Sequence, residues 1–596
     1  MLKSSVRVLS GVPTLHLEDT PVAGMAYTTY FEERTRYPDF LKAGYNIFFV
    51  NASFTTAPIN PTTGFTPFDV GIFENPENPD YSEFETAVNK ILADCPDAVI
   101  FPRIYICMPR WWVDAHPEDT TTLPNGQKRE ALYSDAFRLD GGKLLSQVID
   151  HMKTAPYSSR IGGWMFCAGQ TQEWIYPYFG GDLAPAAQIP YQRWVKETYG
   201  IDNAQLPSSE EYVCKEGFFQ TSEDAKLYAR FANESVARCA DYFAQIIKEK
   251  TDHSQVVGTF FGYVFEAKTA LYGNCALHLL LDSPNLDYFS SPNAYTGGRP
   301  LGKDWADMMP IDSIKHHGKL PFLECDIRTY LTTGMQRARP GRYPEDIYAD
   351  SVWAGPPTAQ LSREALRKCF CHQITKGAAI WWFDMWGGWY DDPLLMDTFA
   401  QMKQVYDCDV PARKDSPAQV VFFADGEGYE NMFADTPPMN AIRESRTAMG
   451  NCGAPYDTYL VEDAEAIAKN YKAAIFPFAY PSEKGKKALA LCQKLGIACL
   501  QADPEQPALT TEQIRSFLAN AGVHLYEKAG DVIYAGNSYV GLHAATAGEK
   551  VLKLPKKMLA MPVFGAETDP VVTDTLTFPL EQYGTALFAL FEKDAI

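Results

Sequence analysis

Basic charge is scarce in this chain. Lys and Arg number 53 against 74 Asp and Glu, for a formal net charge of −21. Nucleic acid and anionic membrane surfaces are bound through basic patches, so neither is expected as a partner. Long apolar runs are also missing, and no segment reads as a membrane span. The N-terminal MLKSSVRVLSGVPTLHLEDT lacks the apolar centre of a signal peptide. The thirteen cysteines are scattered, and the only close pair is Cys369 and Cys371. Neither paired CxxC elements nor a small disulfide framework is present, so reduced thiols and a cytoplasmic location are expected. His316-His317 has no HExxH context, and neither a metal nor a cofactor is expected. The first strand candidate is followed by no Gly-rich phosphate loop, and no G-x-S-x-G elbow occurs. These absences disfavour nucleotide-binding and serine-hydrolase chemistry. Internal repeats and low-complexity segments are absent too.

What the chain does have is length and aromatic content. Its 596 residues, 46% hydrophobic, exceed what one core organises, so about two to four domains are expected. Aromatics reach 13%, with runs such as Trp111-Trp112 and Trp381-Trp382-Phe383. Rings fill ordinary cores, and they also suit the flat C–H faces of sugars.

Short apolar strand-like runs alternate with amphipathic stretches up to about residue 413. Strands are expected at Val22 to Tyr30, Asn46 to Asn51, Ala98 to Cys107, Ile161 to Ala168, Val256 to Tyr263, Leu286 to Ser291, Leu320 to Cys325 and Ala378 to Asp384. A helix is expected from Glu32 to a C-cap at Gly44. A long one runs from an N-cap at Ser222 to about Lys250, with Tyr228, Ala232, Val236, Cys239, Phe243 and Ile246 on its apolar stripe. Eight strand-then-helix units predict an α/β fold, a closed (β/α)8 TIM barrel over residues 1–413, with an open doubly wound sheet as the competitor. After a break at residues 409–419, the alternation restarts at VVFFAD, YDTYLV, AAIFPF and GIACLQ. This predicts a flavodoxin-like α/β domain over 416–525. Residues 526–596 lack helical pattern and predict a small C-terminal β-sandwich.

A barrel of this kind carries its chemistry just after the strands. Glu173 follows the fourth strand in CAGQTQEW, and Glu324 ends the seventh in LPFLECDIR. Retaining hydrolysis of a glycoside needs two carboxyls about 5 Å apart, one protonated and one ionised. Apolar sequence around both favours raising one pKa by desolvation. Asp326, Asp384, Asp391-Asp392 and Glu266 compete for notice, as sugar-hydroxyl binders or as structural ion-pair partners. In the second domain, Cys452 lies in a turn-like NCGAP segment, which disfavours a glutamine-amidotransferase-like nucleophile there.

At these residues the chain resembles clan A glycoside hydrolases, and most of all family 42 β-galactosidases and the family-42-like family 164 β-mannosidases. YPDFLKAGYNIFFVN, CMPRWWVDAHPEDTTTLPNGQKR, YQRWVKETYG and the 416–525 region carry the likeness. The resemblance implies an exo-acting retaining β-glycosidase, with Glu173 as acid/base and Glu324 as nucleophile. It further implies that Gln172 binds the sugar 2-hydroxyl, Tyr295 hydrogen-bonds the nucleophile, Arg103 keeps Glu324 ionised and Trp382 forms the floor of the sugar site. Asp384 is taken as a further substrate contact. The region resembling the family-42 trimerisation domain implies a homotrimer acting on an oligosaccharide or other glycoside. Two departures stand out: Gln172 replaces the family's asparagine, and of its zinc-binding cysteines only Cys107 lies nearby. The asparagine replacement favours β-mannosidase over β-galactosidase. The alternative of another class is a catalytically inactive carbohydrate-binding barrel.

Overall fold

A computed structural model describes the chain apart from residues 124–125, 177–182, 215–216, 344–347, 349–350, 415 and 593–596. Position 415 of the expected interdomain break and the last four residues of the expected C-terminal domain therefore lie outside the described residues.

Eight parallel strands close into a barrel: Met25–Thr28, Ile47–Ser53, Val99–Tyr105, Gly163–Cys167, Val256–Phe260, Tyr288–Ser290, Leu320–Cys325 and Ala379–Phe383. Every expected barrel strand is present, and the seventh matches residue for residue. Side chains alternate along a strand, so residues two apart share a face. One inward layer brings together Phe49, Phe101, Phe322 and Trp381, with ring centroids 5.1–5.6 Å from Phe49. Two residues further along three of those strands come Arg103, Glu324 and Phe383. The chemistry-bearing layer thus rests on an aromatic plug that keeps water from its underside. Gly163 and Gly258 make room for large rings in the wall: a Cβ would stand 2.3 Å from Phe101 or 2.2 Å from Tyr288.

The long helix runs Glu223–Lys250, and Ser222 Oγ caps it by accepting from the Ala225 N–H at 3.2 Å. Its expected stripe is buried apart from Ile246, whose place Ile247 takes. The helix expected from Glu32 is split into a 3-10 turn at Glu32–Arg34 and an α-helix at Tyr37–Lys42, with Pro38 in its first turn. Before the barrel, Ser4–Leu9, Val12–Leu17 and Thr20–Pro21 form a small antiparallel sheet that the sequence reading did not anticipate. It closes the end of the barrel opposite the carboxyl ends of the strands: the Leu2 N–H donates to Ile161 O, and the Val256 N–H donates to Ser4 Oγ.

Beyond residue 413, Val420–Ala424, Asp457–Leu460, Ala473–Phe476 and Ala498–Gln501 form a four-stranded parallel sheet in the order second, first, third, fourth. The C-terminal region is one five-stranded antiparallel sheet. Its 17-residue strand Gly548–Phe564 pairs with Val571–Leu580 and, over its second half, with Thr585–Phe591. Buried polar contacts tie both regions to the barrel. Lys376 Nζ bridges Asp312 at 2.9 Å and Asp457 at 3.0 Å, and Tyr534 donates to Asp304 at 2.8 Å. None of the helices among the described residues is long and apolar enough to cross a membrane.

Candidate active site

At the carboxyl ends of the strands lies a cavity of about 240 Å³. Its polar lining includes Glu173, Glu324, Arg103, Tyr295, Tyr30 and Asn60, and its aromatic walls include Phe260, Trp353 and Trp386. Two carboxyls 151 positions apart in sequence therefore face one space, because barrel closure brings the fourth and seventh strand ends to the same rim.

Glu324 is fixed by a regular strand and is 5% exposed. No side-chain hydrogen bond to it is found among the described residues. Burial, and next the charge of Asp326, push its carboxyl well above the ordinary range, while Arg103 pulls it down. Arg103 is itself buried among four rings, with centroids 5.1–5.2 Å from its guanidinium carbon. Its Nη2 donates to Gln172 Oε1 at 2.6 Å and to the Tyr30 hydroxyl at 3.2 Å.

Glu173 sits on a different kind of support. The fourth strand ends at Cys167, and the chain then turns through Gly169 at φ 72°. Thr171, Gln172 and Trp174 are also left-handed, at φ 54°, 72° and 56°. Three non-glycine residues in that region cost about 1–3 kcal/mol each, so surrounding contacts must hold them. Trp174 supplies one, its indole N–H donating to Thr259 Oγ1 at 2.7 Å, and its backbone N–H donates to Ala168 O at 2.8 Å. Asn274 Nδ2 supplies another, donating to Glu173 O at 3.1 Å. The Glu173 carboxylate accepts from the Thr171 hydroxyl and, at 2.9 Å, from the Tyr263 hydroxyl. Burial raises it to about 7 against the pull of those two donors.

Four residues depart from their expected roles. Gln172 is fully buried and is not part of the cavity lining. Its carbonyl oxygen is taken by Arg103 and, at 2.8 Å, by the Tyr30 hydroxyl. Tyr295 lines the cavity, but its hydroxyl donates to Asp326 Oδ2 at 2.5 Å and not to Glu324. Trp382 points out of the barrel, because Trp381 and Phe383 take the inward positions. Its indole donates to the Tyr45 hydroxyl at 3.1 Å and packs on Phe399. Asp384 accepts from the Gly388 and Trp389 N–H groups and the Tyr27 hydroxyl, so it shapes the loop that carries Trp386.

The rival groups resolve as well. Glu266 pairs with Arg446, Asp391 with Arg36, and Asp392 caps the helix Pro393–Asp409. His317 bridges Asp282 and Asp463, both at 2.9 Å. Cys452 is sealed beside Met449, and burial pushes its thiol up to about 12, which leaves no nucleophile there. Sequence reasoning missed Tyr30, Tyr263, Asn60, Trp353 and Trp386. Only Tyr30 and Tyr263, at the ends of expected strands, carried a positional signal.

No family model and no curated protein sequence matches the chain. Solved structures do. A β-galactosidase from Rahnella sp. R3 aligns with a TM-score of 0.62 at 12% identity, over 99% of this chain and 100% of that one. A β-galactosidase from Bacillus circulans sp. alkalophilus gives 0.60 at 12%, over 95% and 99%. Gan42B, a GH42 β-galactosidase from G. stearothermophilus, gives 0.60 at 11%, over 99% of each. The chain therefore shares, over nearly its whole length, the fold of these β-galactosidases, a TIM barrel with further sheets.

Proposed function

We propose that the protein is a retaining exo-β-glycosidase of β-galactosidase type. The observation that carries this reading is the single cavity lined by both Glu173 and Glu324 at the carboxyl ends of the fourth and seventh strands. Glu173, with a pKa near 7, is suited to hold a proton and give it to the glycosidic oxygen as the bond to the anomeric carbon breaks. Glu324 must attack that carbon in its charged form, which Arg103 and Arg299 favour against the burial and the Asp326 charge that raise its carboxyl, and it forms a glycosyl ester. Glu173, now ionised, takes a proton from water. The resulting hydroxide attacks the same carbon, and Glu324 leaves with its charge restored.

A cavity of about 240 Å³ suits one terminal sugar, which supports exo action. The galactoside preference rests on two supports. The three solved structures described above are β-galactosidases. In addition, Gln172, the only residue that favoured a mannoside, has its carbonyl engaged by Arg103 and Tyr30. Assembly as a homotrimer belongs to the same reading, supported by the parallel sheet that follows the barrel. Light scattering should return three chain masses, and one chain mass would refute the trimer.

A panel of 4-nitrophenyl β-glycosides tests the activity, with the first-formed anomer read by proton NMR. The galactoside should be cleaved fastest and release the β-anomer. A faster mannoside would restore the mannosidase reading, and α-anomer release would replace retention with inversion. No turnover on any member would leave the inactive carbohydrate-binding barrel.

A further inference from the structure

Asp326 stands two residues beyond Glu324 and is fully buried. Its Oδ1 accepts from Arg299 Nη1 at 2.7 Å. Its Oδ2 accepts from Arg328 Nη1 at 2.7 Å and from the Tyr295 hydroxyl at 2.5 Å. The two arginines also donate to Asp326 O, at 3.2 and 2.9 Å. Arg299 reaches back to Asn293 O at 2.6 Å and Ala294 O at 3.3 Å, and holds a left-handed φ of 55° in doing so. The segment after the sixth strand is thereby locked to the segment after the seventh. Both guanidiniums also lie against the Tyr295 ring, 4.2 and 5.0 Å from its centroid.

A phenol has one hydrogen to donate, and a carboxylate bound by two guanidiniums is an acceptor only. The Tyr295 hydrogen is therefore committed to Asp326. What its oxygen can offer the cavity is a lone pair. Glu324 and Tyr295 line the same cavity, yet no hydrogen bond joins them.

We propose that Asp326 is a positioning residue that turns Tyr295 into a hydrogen-bond acceptor for one hydroxyl of the bound sugar, so that Tyr295 selects substrate and does not donate to the nucleophile. The proposal rests on the glycosidase reading above. It separates two roles that a tyrosine at this place could play. A donor to Glu324 would act on the attack itself, whereas an acceptor for a sugar hydroxyl acts on binding and on the choice of sugar.

The test uses the full-length enzyme, the parent 4-nitrophenyl glycoside and its mono-deoxy derivatives. In the wild type, one deoxy derivative should lose about tenfold in kcat/KM, the cost of one hydrogen bond left unmade. Tyr295→Phe should raise KM on the parent glycoside by about tenfold while kcat falls by less than about threefold, and the gap for that one derivative should close. Asp326→Asn, whose amide can donate to the Tyr295 oxygen and release the phenol hydrogen, exchanges the acceptor for a donor and should narrow the same gap. A Tyr295→Phe enzyme that loses a hundredfold in kcat with every deoxy gap intact would overturn the proposal in favour of a donor to Glu324. If Tyr295→Phe does not fold, the Asp326→Asn gap decides alone, and an intact gap there refutes the proposal. Absence of wild-type turnover on every glycoside would sink the glycosidase reading and the proposal with it.

Discussion

The two glutamates are held in opposite ways. Glu324 belongs to a regular strand, between Leu323 and Cys325 in an unbroken ladder, and receives no side-chain hydrogen bond among the described residues. Glu173 hangs on a loop with three strained non-glycine residues and is bound by two hydroxyls. A carboxyl that must strike one carbon along one line gains from a rigid backbone. One that must give a proton and take it back gains from hydroxyl partners that adjust its affinity. Backbone regularity thus marks the proposed nucleophile, and backbone strain marks the proposed acid/base.

The largest expected effect comes from removing the strand-borne group. Glu324→Ala should lose about 10⁴-fold or more in kcat on every substrate, with azide restoring turnover as the α-glycosyl azide. Glu173→Ala should lose about 10²–10⁴-fold on substrates with poor leaving groups. On a dinitrophenyl glycoside it should form the intermediate normally and give the β-glycosyl azide. An α-azide from Glu173→Ala would reverse the two roles and break the comparison.

A smaller effect sharpens it. Donors to Glu173 favour its charged form and hold its pKa down toward about 7. Thr171→Val removes one, so the neutral acid should persist to higher pH. The basic limb of the kcat/KM profile should move up from near pH 7, while the limb set by Glu324 stays in place. A downward shift would contradict the assigned sign.

The smallest effect separates site from scaffold. Trp382→Phe should lower Tm, at a cost of about 2 kcal/mol for the lost indole contacts, and leave kcat/KM within about twofold. A Tm unchanged beside a large loss of activity would return Trp382 to the sugar floor.

The barrel was legible because eight short continuous apolar runs, followed by amphipathic stretches, are local signals. Both glutamates were legible because position after a strand is a local signal too. Side-chain direction at the eighth strand was not. In the run Trp381-Trp382-Phe383 every residue is aromatic, so no polar alternation marks the inward face, and it is Phe383, not Trp382, that lines the cavity. The partners of Gln172 and Tyr295 come from residues 69 or more and 31 positions away, Arg103 and Asp326, and only the closed barrel brings them together. The N-terminal sheet escaped because its alternation is short and breaks at the turn around Ser10-Gly11.

The central claim, that Glu324 becomes covalently bonded to the sugar, has a direct measurement. The enzyme is incubated with 2,4-dinitrophenyl 2-deoxy-2-fluoro-β-galactoside, which forms the intermediate faster than it releases it, and is then digested and sequenced by tandem mass spectrometry. The fluorosugar mass is expected on Glu324, in the peptide containing LPFLECDIR, at one per chain. The same mass on Glu173, or release of dinitrophenol with no stable adduct on either glutamate, would contradict it.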